Sequence, residues 1–275
     1  MKNIDALFEQ CEKLPAIPQV VRELILSFND VDVDTRKIAA KIALDQVISA
    51  RVLRAANSAR FGVSRRIASL GDAMLLMGFN AVRTLVIASG LAGAVKAPPG
   101  FDLKAYWKHC AATAGYAGWL ARRLGLREDF AYTGGLMLHI GILLIRQELP
   151  GVADGIEKEV AAGTGRVIAE EKALGYNHAD VGAELARRWN FPPEITQAFQ
   201  VYPRPLEQAE FVPLAGVFYL ADLIATLQLA NVDKDDLKAG LPVELTSRLA
   251  ADVDELAAAL PGVSEISGAF DALLG

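Results

Sequence analysis

The spacing of apolar residues along the chain predicts α-helices almost everywhere. One helix face near the N-terminus shows the pattern at i, i+1, i+4, i+5 and i+8, with Val20, Val21, Leu24, Ile25 and Phe28. Similar spacing predicts four more short helices before residue 95. No run of residues alternates between apolar and polar as a half-buried strand would, and no repeat of fixed period is present. We therefore predict an all-α fold.

Polar residues mark the expected ends of these early helices. Asp34 is a suitable N-cap for a short helix that carries two isoleucines. Ser69 followed three residues later by Asp72 resembles a capping box and predicts a helix start. Gly78 is expected to end that helix, and Asn80 is expected to cap the next one.

A second helical block is predicted after residue 100. Its helices are expected at 103–124, 128–147, 152–162, 164–174, 178–189, 193–201 and 211–230. In the last 44 residues, nine acidic and three basic residues accompany one predicted amphipathic helix, with Leu245, Leu249, Val253, Leu256 and Leu260 on its apolar face.

The segment Ala97-Pro98-Pro99-Gly100 is the clearest predicted linker, because proline and glycine interrupt regular structure. It divides the chain into an N-terminal helical block at 1–96 and a second block at 97–231. The acidic helical extension then occupies 232–275.

Composition narrows the function classes. The chain has 275 residues with 28 Lys+Arg and 33 Asp+Glu, a net charge of −5, which argues against general nucleic-acid binding. Cys11 and Cys110 fit no metal or redox spacing and predict reduced thiols in a cytoplasmic protein. The longest uncharged run, 130–145, falls short of a membrane span of about 20 residues, so a buried core helix is expected.

Several segments together resemble HDOD domains over about residues 12–230. An asparagine-serine step at Asn57-Ser58 precedes the aromatic-glycine pair Phe61-Gly62, and a Met-Gly helix follows about 15 residues later. Further matching segments are Leu14–Val20, Leu44–Gln46, Arg51–Ala59, Ile67–Ala73, Met77–Arg83, Trp107–His109, Gly135–Gly141, His178–Gly182, Trp189, Pro193–Ile195 and Ala221-Asp222. The resemblance implies a bacterial signalling or regulatory domain. HDOD domains are similar to HD phosphohydrolases and HD-GYP phosphodiesterases but have generally lost the metal centre.

The resemblance also identifies the positions of the HD metal ligands. The early histidine matches His109 and the late aspartate matches Asp222. The His-Asp pair, which precedes Ile-Gly, falls on Leu138 and His139, and a leucine cannot ligate a metal. A shift of one residue would instead put His139 in the histidine role, and the pair would still be broken. His178 matches a further histidine of the HD-GYP group.

Two other positions depart from the active enzymes. Ile142 takes the place of the lysine that often follows the glycine in the HD-GYP group. The paired histidines after the next helix appear as Tyr202 and Pro203. The resemblance therefore implies no catalytic residues and no cofactor. An alternative is a vestigial site for a divalent metal formed by His109, His139, His178 and Asp222.

Arginines are concentrated between residues 51 and 83, where the local net charge is +5. One interpretation is a solvated face, or contacts to the acidic extension. The other is recognition of an anionic partner, since arginine suits bidentate contact to carboxylate or phosphate. Asn57 shares a helix face with Arg54, although it could instead bond backbone groups at the helix end. The candidate partner-binding residues are Arg51, Arg54, Asn57, Arg65, Arg66 and Arg83, with Arg60 as a further member of the charged stretch.

Three functional hypotheses follow. The first is a non-catalytic HDOD regulatory module that recognises a signalling protein or a small nucleotide ligand. The second is a divergent metal-dependent HD-type phosphohydrolase or phosphodiesterase. The third is nucleic-acid binding through the arginine stretch, which the net charge disfavours. No membrane partner is expected, and the oligomeric state is open.

Overall fold

The structure, a computed structural model, describes residues 4–10, 17–30, 33–57, 67–94, 98 and 100–267. Within these ranges the chain forms seventeen α-helices, one short 3-10 helix at Ser27–Asn29 and no strand, which confirms the all-α prediction. The first six helices are α1 (Ile4–Gln10), α2 (Gln19–Leu26), α3 (Thr35–Ala43), α4 (Gln46–Ala56), α5 (Leu70–Met77) and α6 (Phe79–Ala94).

The remaining helices begin at residue 103. They are α7 (Leu103–Arg123), α8 (Glu128–Met137), α9 (Ile140–Glu148), α10 (Pro150–Ala161), α11 (Arg166–Leu174), α12 (His178–Arg188), α13 (Pro193–Val201), α14 (Pro213–Leu229), α15 (Lys234–Gly240), α16 (Val243–Arg248) and α17 (Val253–Ala259).

Most of the predicted helix ends in the N-terminal block are confirmed. The Asp34 side chain accepts a hydrogen bond from the backbone of Lys37, and Ser69 accepts one from the backbone of Asp72. Gly78 ends α5 with a φ of +83°, a conformation that favours glycine. The cap predicted at Asn80 is wrong, because α6 already begins at Phe79.

The predicted helix at 128–147 is two helices. α8 ends at Met137, and the backbone departs from helical geometry at His139, where φ is −97° and ψ is 8°. The stretch Glu128–Glu148 is by length and composition apolar enough to cross a membrane, but 78% of its most apolar window is buried in the protein. Its burial agrees with the expected core helix.

Two adjacent glycines let α8 pack closely between two long helices. A Cβ on Gly134 would lie 2.3 Å from the ring of Phe218 on α14. A Cβ on Gly135 would lie 2.9 Å from the backbone of Ala114 on α7. The pair therefore brings α7, α8 and α14 together at the centre of the core.

Between residues 234 and 259 the acidic extension forms three short helices, so the prediction of one amphipathic helix is wrong. Ala250 adopts a φ of +53° between α16 and α17 and ends the helical path. The leucines of the predicted apolar face are nevertheless used, since Leu245, Leu249 and Leu256 are buried. Further along, the Tyr116 hydroxyl donates a hydrogen bond to the Pro261 carbonyl at 3.0 Å.

The N-terminal helices are joined to the second block through Arg83. Its guanidinium lies 2.5 Å from the Asp129 carboxylate on α8 and donates to the Ser27 carbonyl at 3.0 Å. It also stacks 4.0 Å from the ring centre of Phe28. Ala97 and Pro99 of the predicted linker lie outside the described residues, as does Cys11, and the proposed boundaries remain a prediction.

Candidate functional site

Three donor atoms, two from helices and one from the break between two helices, converge on one point. His109 comes from α7, His139 from the break between α8 and α9, and Asp222 from α14. The Nε2 atoms of His109 and His139 lie 2.7 Å and 2.8 Å from the same oxygen, Oδ1 of Asp222. The three residues form a group whose donor atoms all lie within 4.8 Å of one another.

The hydrogen-bonding pattern assigns the protons in this cluster. A carboxylate oxygen only accepts, so each histidine donates an N–H from Nε2 to Asp222. Thr113 Oγ1, one turn beyond His109 on α7, lies 3.5 Å from the same oxygen. Asp222 is therefore positioned by donors from two directions, with about a quarter of its side chain still exposed.

The surroundings favour a neutral imidazole at His139 beside a charged Asp222 carboxylate. Burial lowers the pKa of His139 to about 3, against the opposing charge of Asp222. Burial would raise the pKa of Asp222, but the hydrogen bond from His109 and the nearby histidines outweigh it and lower that pKa. Neutral imidazole and ionised carboxylate are the forms that ligate metal ions.

The donor set fits one divalent metal ion better than two. Two imidazoles and a carboxylate leave an open coordination position, as in many mononuclear sites. Leu138, at the first position of the His-Asp pair, is buried and contributes no ligand. The group contains one carboxylate, which leaves no second carboxylate to bridge a pair of ions.

His178, the fourth candidate donor, is not part of this group. Its Nδ1 lies 2.6 Å from Glu170 Oε2, and the same oxygen accepts the His178 backbone N–H at 2.8 Å. Because Nδ1 carries the proton, Nε2 accepts the hydrogen bond from the Tyr202 hydroxyl at 2.5 Å. Both ring nitrogens are occupied, so His178 cannot ligate a metal in this arrangement.

His178 instead supports His139 from behind. The two rings are nearly parallel, at 13°, with their centres 6.0 Å apart. Gly141 permits this approach, because its missing side chain lets α9 reach the first turn of α12. The glycine of the Ile-Gly pair, Gly141, is therefore required in this chain for the close packing of α9 against α12.

Sequence reasoning missed the charged residues around this network. Glu170 is a buried carboxylate on α11, with Arg166 one turn before it at 3.8 Å. Arg166 in turn forms a bidentate pair with Glu157 on α10. No motif marks these residues, and a charged residue within a helix ordinarily indicates a solvated face.

The arginine stretch does not form one surface. Arg83 is buried and paired internally, so it is not available to a partner. Arg51 is half-buried and donates to the Ser89 carbonyl, whereas Arg54 is exposed. Asn57 binds the Leu53 carbonyl and both backbone groups of Ile67, which is a structural role. The candidates Arg60, Arg65 and Arg66 lie outside the described residues.

Comparisons with known proteins agree with this architecture. The sequence of residues 14–205 matches the family model of the HDOD domain. A protein of Shewanella amazonensis SB2B named "Putative phosphohydrolase" is 32% identical, with a TM-score of 0.82 over 98% of this chain and 96% of that one. An HDOD domain protein of unknown function from Geobacter sulfurreducens is 23% identical, with a TM-score of 0.79 over 98% of this chain and 96% of that one, and shares the fold.

A curated relative extends beyond this chain. An uncharacterized protein of Treponema pallidum (strain Nichols) is 24% identical over 222 residues, which are 79% of this chain and 43% of the relative. The chain thus spans less than half the length of that relative. The family match ends at residue 205, so Asp222 completes the site from beyond it. With the family model matched over most of its length, this chain belongs to the HDOD domain family.

Proposed function

We propose that this protein is a regulatory module that recognises a signalling partner and does not hydrolyse phosphoesters. The observation that carries the proposal is the buried Leu138 where the metal-binding pair of the active HD enzymes begins. A leucine removes one donor and adds apolar bulk beside the remaining three. His139 then replaces the carboxylate that would bridge two ions, and two-metal activation of water is lost.

The N-terminal helices are the proposed recognition surface. Several large apolar side chains there are exposed, among them Leu44 at 85% and Leu75 at 84%. Arg54 adds an exposed positive charge on α4. Apolar groups combined with arginine are typical of protein interfaces, so a protein partner is favoured over nucleic acid. A small nucleotide that binds Arg54 through its phosphate is the other candidate ligand for this surface.

The first experiment tests hydrolysis directly. Protein loaded separately with Mg²⁺, Mn²⁺, Fe²⁺, Co²⁺ or Zn²⁺ is incubated with bis(p-nitrophenyl) phosphate and with a cyclic dinucleotide. We expect no turnover above that of the Asp222→Ala variant. Turnover that disappears in both Asp222→Ala and His109→Ala would overturn the proposal.

The second experiment tests recognition. Leu75→Glu and Arg54→Glu are each expected to abolish capture of a partner from the source cells, whereas Arg36→Glu, an exposed change on α3, is the matched control. Equal capture by the parent protein and all three variants would contradict the assignment of this surface. Binding to nucleic acid that weakens steeply with salt would instead support the third hypothesis.

A single-metal phosphohydrolase is the second candidate function. The convergence of His109, His139 and Asp222 favours it, because three protein donors with an open position are a catalytic arrangement. The hydrolysis assay separates the two functions, since the regulatory proposal expects the same rate from the parent protein and from Asp222→Ala.

A further inference from the structure

We infer that a groove between the two helical blocks binds a guanine nucleotide. The groove has a volume of about 1170 Å³ and is lined by parts of α6, α7 and α8 together with residues of the extension between 258 and 266. Ligand pockets typically have volumes of about 300–1,000 Å³, so the groove has room for a nucleotide. The inference goes beyond the proposed function, because it adds a ligand site away from the exposed face of the N-terminal helices.

One stripe of α7 forms a wall of this groove. Gly115, Trp119 and Arg122 all line it, and their spacing of four and three residues places them on one face of the helix. At about 1.5 Å per residue, Gly115 and Arg122 are about 10 Å apart along the helix axis. A nucleoside monophosphate has a similar length from its base to its phosphate. The stripe therefore offers a cation at one end and an aromatic ring near the middle, in the order that such a ligand requires.

Arg122 is the group that binds the phosphate. Its side chain is 66% exposed and pairs with Glu128, which is 42% exposed. An exposed ion pair contributes little to stability, so the guanidinium can turn from Glu128 to a phosphate and bind it in a bidentate manner. Residues 122–129 carry three arginines and two carboxylates, a net charge of +1, and the buried Arg83 neutralises one of these carboxylates, Asp129. This end of the groove therefore favours an anion.

Glu265 determines the choice of base at the other end. It lines the groove beside Gly115, is exposed, and has no ion-pair partner among the described residues. A carboxylate only accepts hydrogen bonds. The pairing edge of guanine has two adjacent donors, N1–H and the N2 amino group, whereas that of adenine has one. Glu265 therefore selects guanine, and the Trp119 ring, one turn after Gly115, supplies the surface on which the base stacks.

The position of the groove links ligand binding to the whole molecule. A nucleotide there contacts α6 of the first block, α7 and α8 of the second block, and the extension at the same time. A ligand that binds only the folded arrangement stabilises it by mass action. Binding is therefore expected to raise the Tm and to slow limited proteolysis after residue 260.

The test is isothermal titration of the full-length protein with GMP, AMP and guanosine. We expect about one GMP per chain, bound at least about 10-fold more tightly than AMP and than guanosine. GMP should also quench tryptophan fluorescence, and this signal reports on the groove because Trp119 is partly exposed whereas Trp107 and Trp189 are buried.

Substitutions locate the bound nucleotide. Arg122→Gln is expected to weaken GMP binding at least about 10-fold and to leave guanosine binding within about twofold, and Glu265→Ala should remove the preference for GMP over AMP. Circular dichroism should be unchanged in both, and Arg36→Gln, at an exposed arginine on α3, is the matched control.

Three results would overturn the inference and leave the proposed function standing. They are no GMP binding at about 1 mM, equal GMP binding by the parent and both groove variants, or GMP binding that is lost in Arg54→Gln and retained in Arg122→Gln. Phosphoester hydrolysis that depends on Asp222 would overturn the proposed function alone.

Discussion

Gly141 on α9 faces the backbone carbonyl of His178 at the start of α12. A Cβ built on Gly141 would lie 2.0 Å from that oxygen, closer than any packed atom pair allows. Because Gly141 has no side chain, α9 can lie close enough to α12 for the rings of His139 and His178 to pack against each other.

Gly141→Ala is expected to destabilise the protein by about 2 kcal/mol or more, because the new methyl group must push α9 away from α12. It should also weaken the ordering of His139. Urea unfolding measures the first effect. Gly155→Ala on α10 is the control, since a Cβ there meets nothing within 4 Å, and it should stabilise by roughly 0.5–1 kcal/mol. Equal stability of the two variants would contradict the packing argument.

Arg83 is expected to stabilise the contact between the two helical blocks through its ion pair with Asp129. Burial lowers its pKa to about 10, against the opposing charge of Asp129, and it remains charged at neutral pH. Arg83→Met removes one partner of a buried pair and is expected to cost about 3 kcal/mol in urea unfolding. Arg54→Met, at an exposed position, should change stability by less than about 0.5 kcal/mol. If Arg83→Met leaves the free energy of unfolding unchanged, the pair of Arg83 and Asp129 does not hold the two blocks together.

Glu157 should make stability depend on acid pH. Its hydrogen bonds to Arg166, together with the charges of Arg166 and Arg146, hold its pKa below 4.5 although burial opposes this. A carboxyl whose pKa is lowered in the folded state stabilises the fold above pH 4.5 and loses this effect as pH falls through the folded pKa. Glu157→Gln is therefore expected to cost about 1 kcal/mol at pH 7, and this cost should shrink as the pH falls through the pKa of Glu157 in the folded protein.

Chemical unfolding of the parent and Glu157→Gln proteins from pH 7 to pH 3 gives this comparison. Glu210→Gln, an exposed substitution, controls for the general effect of removing a negative charge. A stability difference that stays constant across the range would argue against the ion pair as its source.

Gly115 should anchor the end of the described extension. A Cβ there would lie 2.5 Å from the side chain of Ile266 and 2.7 Å from its carbonyl oxygen. Gly115→Ala is expected to detach this segment and to speed limited proteolysis after residue 260. Gly151→Ala, where a Cβ meets nothing within 4 Å, should leave the cleavage rate unchanged. Unaltered cleavage in Gly115→Ala would contradict a packed extension.

Local sequence determined much of the helical framework. Helix caps such as Asp34 and Ser69 bond to backbone groups three residues away, so they can be predicted from the sequence without knowledge of the tertiary structure. The spacing of apolar residues is likewise a local pattern. The same rules failed at His139, where a break follows from packing between α9 and α12. They also failed in the extension, where a continuous leucine pattern is divided at Ala250.

The candidate site shows the same division. The sequence by itself determined that the motif pair is broken at Leu138 and that three histidines and Asp222 remain. Only the tertiary structure decided that His109, His139 and Asp222 meet while His178 is engaged by Glu170 and Tyr202. The physical reason is distance along the chain, because His109 and Asp222 are 113 residues apart. Their meeting depends on how closely α7, α8 and α14 pack, which is set by contacts that no local pattern encodes.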